Sequence, residues 1–361
     1  MATQNYFINR GKIGNTPALS SRADEVFMDY VAGARDLLMH NRHTAVRELG
    51  DKALQENCGK EAPTPEGVGI IRAMIREVPE AGIYHRAKRT LQEAYWNRII
   101  DSYGLREDEL LAKLDEADKS GPGSVSWDPN FSYPEYATVD IHIQPGGYVS
   151  HPLAGMHYDY GTRVFYSGED SDSGQHDLVL KTLLPKDGKV ERVMDIGCSI
   201  GQFTCALKQR FSEAEVWGTD IASPMVRYGH LRAIEQDLDV HFAQMASEDL
   251  DFPDGHFDLV TAHILFHELP MEVIHETIKE TFRVLRPGGN FVIWDFTSST
   301  RGDKRFGGFG RIMDMVDNGE PYSWNFINCD VEAIMEKYGF VLRYTELNDL
   351  ERHGRVGDKP A

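Results

Sequence analysis

Two carboxylates flanking a glycine-bounded turn are the residues in this sequence best placed to do chemistry. In Val193-Met194-Asp195-Ile196-Gly197-Cys198-Ser199-Ile200-Gly201 an apolar run ends in an acid and passes at once into a turn of small residues. Gln202 to Phe211 then reads as helix. Strand, tight turn and helix bring backbone N–H groups and a helix N-terminus up to a ligand. About twenty residues further on, Val216-Trp217-Gly218-Thr219 reads as a second strand and ends in Asp220. An acid there accepts both hydroxyls of a ribose. The pair predicts a nucleoside-containing cofactor at the carboxyl edge of a parallel sheet.

The turn allows three readings. As a dinucleotide fingerprint it has Ser199 in place of the second glycine, and its third glycine falls one place early. A pyrophosphate needs bare backbone at those points. As a nucleophile elbow, Gly197-Cys198-Ser199-Ile200-Gly201 spells G-x-S-x-G, but no oxyanion loop of the HGGG kind lies upstream, and Pro145-Gly146-Gly147 is a poor substitute. The third reading is the donor loop of class I S-adenosylmethionine (SAM) methyltransferases, which carry an acid two residues before the first glycine, as Asp195 stands here. The surroundings resemble the same family. Phe252-Pro253-Asp254-Gly255-His256-Phe257-Asp258-Leu259-Val260 is similar to its turn into the fourth strand, and Val284-Leu285-Arg286-Pro287-Gly288-Gly289 to its helix exit before the fifth strand, Asn290 to Asp295. Asp220-Ile221-Ala222-Ser223-Pro224-Met225 is similar to its acid-to-helix segment. The resemblance runs from Glu191 to Phe340. It is to the small-molecule members, of the broad type that includes the ubiquinone and menaquinone enzymes.

The resemblance implies a SAM-dependent methyltransferase acting on a small, apolar or aromatic molecule, with SAM as the cofactor. It places Asp195 at the donor's ammonium group or beneath the turn, and lets Gly197, Cys198, Ser199 and Gly201 approach the donor closely. Asp220 takes the ribose, and Ile221 and Met225 sandwich the adenine or serve as ordinary core. Relatives carry an acid where Ala246 stands here, so Ser247 or Glu248 is expected at the adenine amine. His263 joins the cofactor set at the end of the fourth strand. Methyl transfer is an in-line displacement in which the protein chiefly holds donor and acceptor aligned. The segment after the fourth strand, Ala262 to Pro270, lies where the acceptor approaches. His267 is the candidate general base for a hydroxyl acceptor, with Glu268 beside it; the same two residues would equally begin the next helix. His263-x-x-x-His267-Glu268 is not H-E-x-x-H, and His142, His151 and His157 lack regular ligand spacing, so no metal is assigned. A serine hydrolase using Ser199, or a SAM-binding protein without methyl transfer, are the alternatives.

The elements that must position these groups form an α/β fold, a Rossmann-like doubly wound and mostly parallel sheet, with an N-terminal mainly helical domain. Alternation of strand and helix from Arg192 to Phe296 carries that expectation. Residues 1–121 read as the helical domain, with helices over Ser21–Leu49, Thr64–Val78 and Arg86–Tyr103. A connecting segment at 122–185 follows the breaker cluster Ser120-Gly121-Pro122-Gly123-Ser124. It holds an alternating run, Tyr136 to Ile143, that reads as a strand, and then an aromatic-rich loop, Met156 to Gly161, that either puts Tyr158 or Tyr160 near the donor or simply packs. Residues 186–361 form the SAM-binding unit. A glycine- and aromatic-rich insertion, 297–328, offers Tyr322, Trp324 and Phe326 as a mobile acceptor lid. After Glu346 only a short charged tail remains, so the seventh strand is short, absent or supplied from elsewhere.

Composition narrows the partners. The 361 residues suggest about two domains, and 41% are hydrophobic, enough for a normal core. A net charge of −19 repels phosphate backbones, so nucleic acid is not the expected substrate. The one basic stretch, His85 to Arg89, reads as a solvated helix face. No run is long enough to span a bilayer and no secretory signal is seen, so the expected location is cytoplasmic. Cys58, Cys198, Cys205 and Cys329 show no C-x-x-C spacing, which disfavours disulfide and zinc scaffolds. The N-terminal helices and the 297–328 insertion are expected to form either the acceptor pocket or a dimer surface, the second giving a homodimer through the N-terminal helices.

Overall fold

The computed structural model describes residues 16–58, 69, 73, 76–165, 172–296, 315, 317–343 and 353–361. Eight strands make one sheet: β1 (Ser124–Ser126), β2 (Arg192–Ile196), β3 (Glu215–Asp220), β4 (His241–Gln244), β5 (Phe257–His263), β6 (Leu285–Asp295), β7 (Val341–Arg343) and β8 (His353–Asp358). Their order is β1-β4-β3-β2-β5-β6-β8-β7. Pairing is parallel from β1 to β6 and antiparallel at β8 and β7. Val193, Met194 and Ile196 of β2 are fully buried, as befits a parallel sheet covered on both faces. The chain winds outward through β3 and β4, then returns to start β5 on the other side of β2. A crevice opens at that reversal, outside the carboxyl ends of the strands, where open α/β sheets bind ligands.

The helices Arg22–Cys58 and Pro79–Gly104 do not stand apart from the sheet. Tyr95, Trp96, Ile99 and Tyr103 share one core with Leu153, Met156 and Tyr160 and with Met225 and Tyr228 of the helix Ser223–Glu235. A buried carboxylate ties this junction. Asp159 accepts hydrogen bonds from Tyr228 (2.7 Å) and Thr16 and pairs with Arg232 (2.9 Å) and Arg163 (3.2 Å). Burial pushes its pKa up, but the two guanidiniums and the two hydroxyls outweigh burial and hold it below the usual carboxylate value of 3.8. A carboxyl depressed in the folded state contributes stability above its unfolded value and loses it as pH falls through the folded one. Thermal melts should therefore drop steeply below about pH 4. In Asp159→Asn they should start lower and fall less.

Four elements differ from expectation. Tyr136–Ile143 is not a strand but two 3-10 turns, Glu135–Thr138 and Ile141–Ile143. His142 and Ile143 sit at φ 56° and 51°, which no extended ladder tolerates. The alternation is real, but it turns Ala137, Val139 and Ile141 toward a cleft rather than toward a sheet. The breaker cluster runs directly into β1, which pairs with β4. The aromatic-rich loop is a helix, Ala154–Phe165, buried along most of its length. The charged tail supplies β8, antiparallel to β6, because its charges are matched: Asp358 pairs with Arg343 and Lys186, and Arg355 is buried near the Phe326 ring. The expected helix at Thr64–Val78 and the first part of the insertion, 297–314, fall largely outside the described residues. No helix among the described residues is long and apolar enough to cross a membrane.

Candidate functional site

The crevice at the β2/β5 reversal holds a cleft of about 1190 Å³, open mouth included. Its floor is the turn after β2. Asp195 is buried on this wall and accepts from Thr204 (Oγ1, 2.7 Å) and Thr261 (Oγ1, 2.9 Å). Burial pushes its carboxyl up to about 7 against these hydrogen bonds. Gly197, Ser199 and Gly201 take φ of 62°, 48° and 73°. At Gly197 a side chain is also excluded by packing, since a Cβ would lie 2.6 Å from Leu265 Cδ1. Asp220, at the end of β3, closes the turn: its Oδ2 accepts from Ser199 N and its Oδ1 from Ala222 N, both at 2.9 Å. Burial pushes it up to about 6.

The structure gathers Asp195, Gly197, Cys198, Ser199, Asp220, Ile221, Ser247, His263 and Glu268 on this one cleft. Gly201 lies just behind it, a turn residue at the start of the helix Gln202–Arg210. Met225 does not reach the wall. It is buried in the core shared with the N-terminal helices, and Met245 lines the cleft with Ile221 instead. Ser247 lines the cleft while its hydroxyl bonds Thr277 (2.8 Å). Glu248 is turned away and accepts from the Tyr136 hydroxyl at 2.6 Å. His263 lies flat on Phe203, with ring centroids 5.0 Å apart. Burial pushes the Cys198 thiol well up, which leaves it inert as a nucleophile.

His267 and His263 do not converge, because β5 ends at His263 and His267 belongs to the 3-10 turn Phe266–Glu268. His267 is buried behind the cleft, and its Nδ1 meets Asp295 Oδ1 at 2.9 Å. Burial alone would push the imidazole down, but the Asp295 carboxylate outweighs it and holds the ring up at about 9. The other Asp295 oxygen accepts from Phe266 N (2.8 Å), so this strand-end acid shapes the whole turn. It is the third acid at a strand end, after Asp195 and Asp220, and that shared signal could have singled it out. Glu268 is the member that faces the cleft. Its Oε1 accepts from the Tyr148 hydroxyl at 3.2 Å, and burial pushes its carboxyl up.

Tyr322, Trp324 and Phe326 are not brought to the cleft. Phe326 is fully buried in the core beneath the sheet's carboxyl edge, 6.4 Å from the His267 ring. The short helix Ser323–Ile327 braces the 3-10 turn rather than covering the pocket. The aromatic wall comes instead from Tyr136, Tyr148 and Tyr158, with Tyr148 and Tyr158 edge to face at 5.3 Å. Tyr160 is directed away, to Glu25.

The residues present fit a nucleoside-bearing donor. Ser199 Oγ is buried on the wall with no hydrogen-bond partner, a cost that a polar ligand removes. That hydroxyl also has no histidine bonded to it, so the elbow reading lacks its base. The Asp220 oxygens each hold one backbone N–H and keep lone pairs for ligand hydroxyls.

Similarity to known proteins falls on the same part of the chain. Residues 193–289 match a family model described as a methyltransferase domain. The chain is similar to a demethylmenaquinone methyltransferase of Thermus thermophilus, 30% identical over 187 residues, spanning 47% of this chain and 83% of that protein. It is also similar to the ubiquinone/menaquinone biosynthesis C-methyltransferase UbiE of Laribacter hongkongensis, 36% identical over 107 residues, 29% of this chain but only 43% of that protein. Among solved structures, a SAM dependent methyltransferase from Aquifex aeolicus aligns with a TM-score of 0.38 at 19% identity, over 51% of this chain and 88% of its own.

Proposed function

The chain belongs to the class I SAM-dependent methyltransferase family and transfers methyl groups from SAM to a small molecule, and we propose that its acceptor is an aromatic or apolar compound with an ionisable hydroxyl. The observation that supports this is the makeup of the wall beyond the donor turn. Tyr148, Tyr158, Ile141, Leu265 and Leu269 are apolar or aromatic, and Glu268 is the carboxylate among them. The relatives' printed names, a demethylmenaquinone methyltransferase and a ubiquinone/menaquinone biosynthesis C-methyltransferase, support an aromatic acceptor, and the second names carbon as the methylated atom, which loss of a ring hydroxyl's proton would also activate.

SAM supplies an activated methyl group on a sulfonium, so no metal or redox partner is needed for the transfer itself. The chain's part is to bind, orient and manage one proton. Asp220 accepts the ribose hydroxyls, Asp195 and the N–H groups of the Gly197–Gly201 turn hold the amino-acid end, and Ile221 and Met245 flank the base. Glu268 takes the acceptor's proton at its carboxylate, since a neutral hydroxyl is a poor nucleophile. His267 is held charged by Asp295 and acts as a positioning residue behind Glu268, with its Nε2 3.9 Å from Glu268 Oε1. The 3-10 turns Glu135–Thr138 and Ile141–Ile143, with Tyr148 and Tyr158, form the acceptor side of the cleft, and the helix Pro79–Gly104 backs them through Gln92 and Trp96. The test is a radiolabel-transfer screen of phenols, hydroquinones and aliphatic alcohols. Label in the phenolic class supports the proposal, and label in amines or thiols alone overturns it.

A homodimer through the first helix is also proposed, and the acidic surface argues against nucleic acid as substrate. Val26, Tyr30 and Leu37 lie on one stretch of Arg22–Cys58 with 57%, 68% and 59% of their surface exposed, more apolar surface than a lone helix face usually leaves in water. Leu37→Glu is expected to shift the protein from dimer to monomer in sedimentation equilibrium. A wild-type monomer would remove this assignment.

A further inference from the structure

We propose that His142, His267, Glu268 and Glu320 form a binding site for a divalent transition-metal ion, set directly behind the acceptor wall of the cleft. These residues come from three separate parts of the chain: the turn Ile141–Ile143, the turn Phe266–Glu268 and the segment after Gly319. One ligand atom each from His142, His267 and Glu268 lie within 4.8 Å of one another. His142 Nε2 is 3.6 Å from Glu268 Oε1 and 3.4 Å from Glu320 Oε1, and His267 Nε2 is 3.9 Å from Glu268 Oε1. Tetrahedral coordination at about 2.0–2.1 Å puts neighbouring ligand atoms about 3.3–3.4 Å apart. The 3.4 and 3.6 Å spacings about His142 approach that value, the 3.9 Å spacing at His267 would have to close by about half an ångström, and all three are longer than good hydrogen bonds.

Two buried polar atoms inside the cluster lack a hydrogen bond. His142 is 4% exposed and Glu320 5%. His142 Nε2 and Glu320 Oε2 are both buried without a hydrogen-bond partner, each at a desolvation cost that a cation would remove. The surroundings hold the donors in place. His142 adopts a left-handed φ of 56°, a strained choice for this residue, and its carbonyl is clamped by Gln92 Nε2 (2.8 Å) and Trp96 Nε1 (2.9 Å). Its ring lies flat on Phe165 at 5.5 Å. Asn318 Nδ2 donates to Glu320 Oε1 at 2.6 Å. Gly319 lets that segment approach, since a Cβ there would lie 2.7 Å from Asp140 O. Asp295 takes His267 Nδ1 at 2.9 Å, so an ion that displaces the Nε2 proton of the otherwise charged ring would be met by Nε2, the carboxylate–histidine arrangement that supports metal ligands. Two imidazoles with two carboxylates suit zinc or a neighbouring first-row ion. For what the ion does, the inference rests on Glu268 facing the acceptor. Four protein ligands leave no open position for an acceptor oxygen, so the ion would act by fixing Glu268, the ligand that faces the acceptor, and by tuning its basicity.

The test is equilibrium dialysis of the purified full chain against Zn²⁺, with metal content read by mass spectrometry and S-adenosylhomocysteine binding read on the same samples. One equivalent of zinc per chain is expected, together with the intense visible absorption of tetrahedral Co²⁺ after substitution. Glu320→Gln and His142→Gln should lose the metal while still binding S-adenosylhomocysteine, and Asp295→Asn should weaken it roughly 10–100-fold. Wild-type chain that binds S-adenosylhomocysteine but no metal overturns this inference alone and leaves a buried ion-pair network. Metal retained equally in folded Glu320→Gln and His142→Gln overturns it too. Loss of S-adenosylhomocysteine binding by the wild type would instead count against the donor site itself.

Discussion

Replacing Asp220 with alanine is expected to weaken SAM binding at least tenfold, and by roughly 10²-fold if both ribose hydroxyls are bound. A hydrogen bond to a charged group contributes about 1.5–3 kcal/mol, and each 1.4 kcal/mol is about tenfold. The substitution also frees the Ser199 and Ala222 N–H groups that the carboxylate now holds at 2.9 Å, so the turn loosens as its ligand is lost. Asp220→Asn separates the two effects, because it keeps one acceptor for the backbone but turns a donor toward the ribose. The same site sets a pH dependence. Asp220 and Asp195 are pushed up by burial to about 6 and about 7, and both must be ionised to meet hydroxyls and an ammonium group. Protons therefore compete with SAM, and affinity should fall as pH drops from about 7.5 to about 5. In Asp220→Asn the lower part of that fall should disappear. Unchanged affinity in a folded Asp220→Ala protein would remove this residue from the site.

Glu268→Gln is expected to lower kcat by roughly 10²–10⁴, the usual scale for proton transfer by a positioned side chain, with SAM affinity unchanged. Glutamine keeps the shape and the contact to Tyr148 but takes no proton. Removing His267 instead would leave Asp295 buried without its partner, a destabilising change of about 3–5 kcal/mol, which makes that variant a poor probe of chemistry. Single-turnover rates with a phenolic acceptor, across pH, would read the Glu268 effect directly. A Glu268→Gln enzyme with near wild-type kcat would show that the acceptor is already nucleophilic and needs no base.

The parts of the site that could be read from sequence are those written in contiguous chain. Asp195, the Gly197–Gly201 turn and Asp220 are fixed by local strand–turn–helix geometry, and each lies where that geometry puts it. The acceptor side was opaque because long-range packing makes it. Tyr136, Tyr148 and Tyr158 reach the cleft only after two 3-10 turns and a buried helix fold across the sheet's edge. His142 meets His267 through the same packing, so no spacing rule could pair them. The alternation at Ala137, Val139 and Ile141 was a true sign of one-sided burial, but period two does not say whether the partner is a strand or a ligand. Tyr322, Trp324 and Phe326 were misplaced because aromatics among glycines look the same whether they cap a pocket or brace a turn from below. β8 was missed because its charges are neutralised by partners, such as Arg343 and Lys186 on Asp358, that are distant in sequence.

The central claim is that the cleft between β2 and β5 is a SAM site. Calorimetric titration of the wild-type chain with S-adenosylhomocysteine at about pH 7.5 tests it most directly. The account predicts saturable binding at one equivalent per chain, with SAM competing for the same site. A folded protein that takes up neither compound would contradict it.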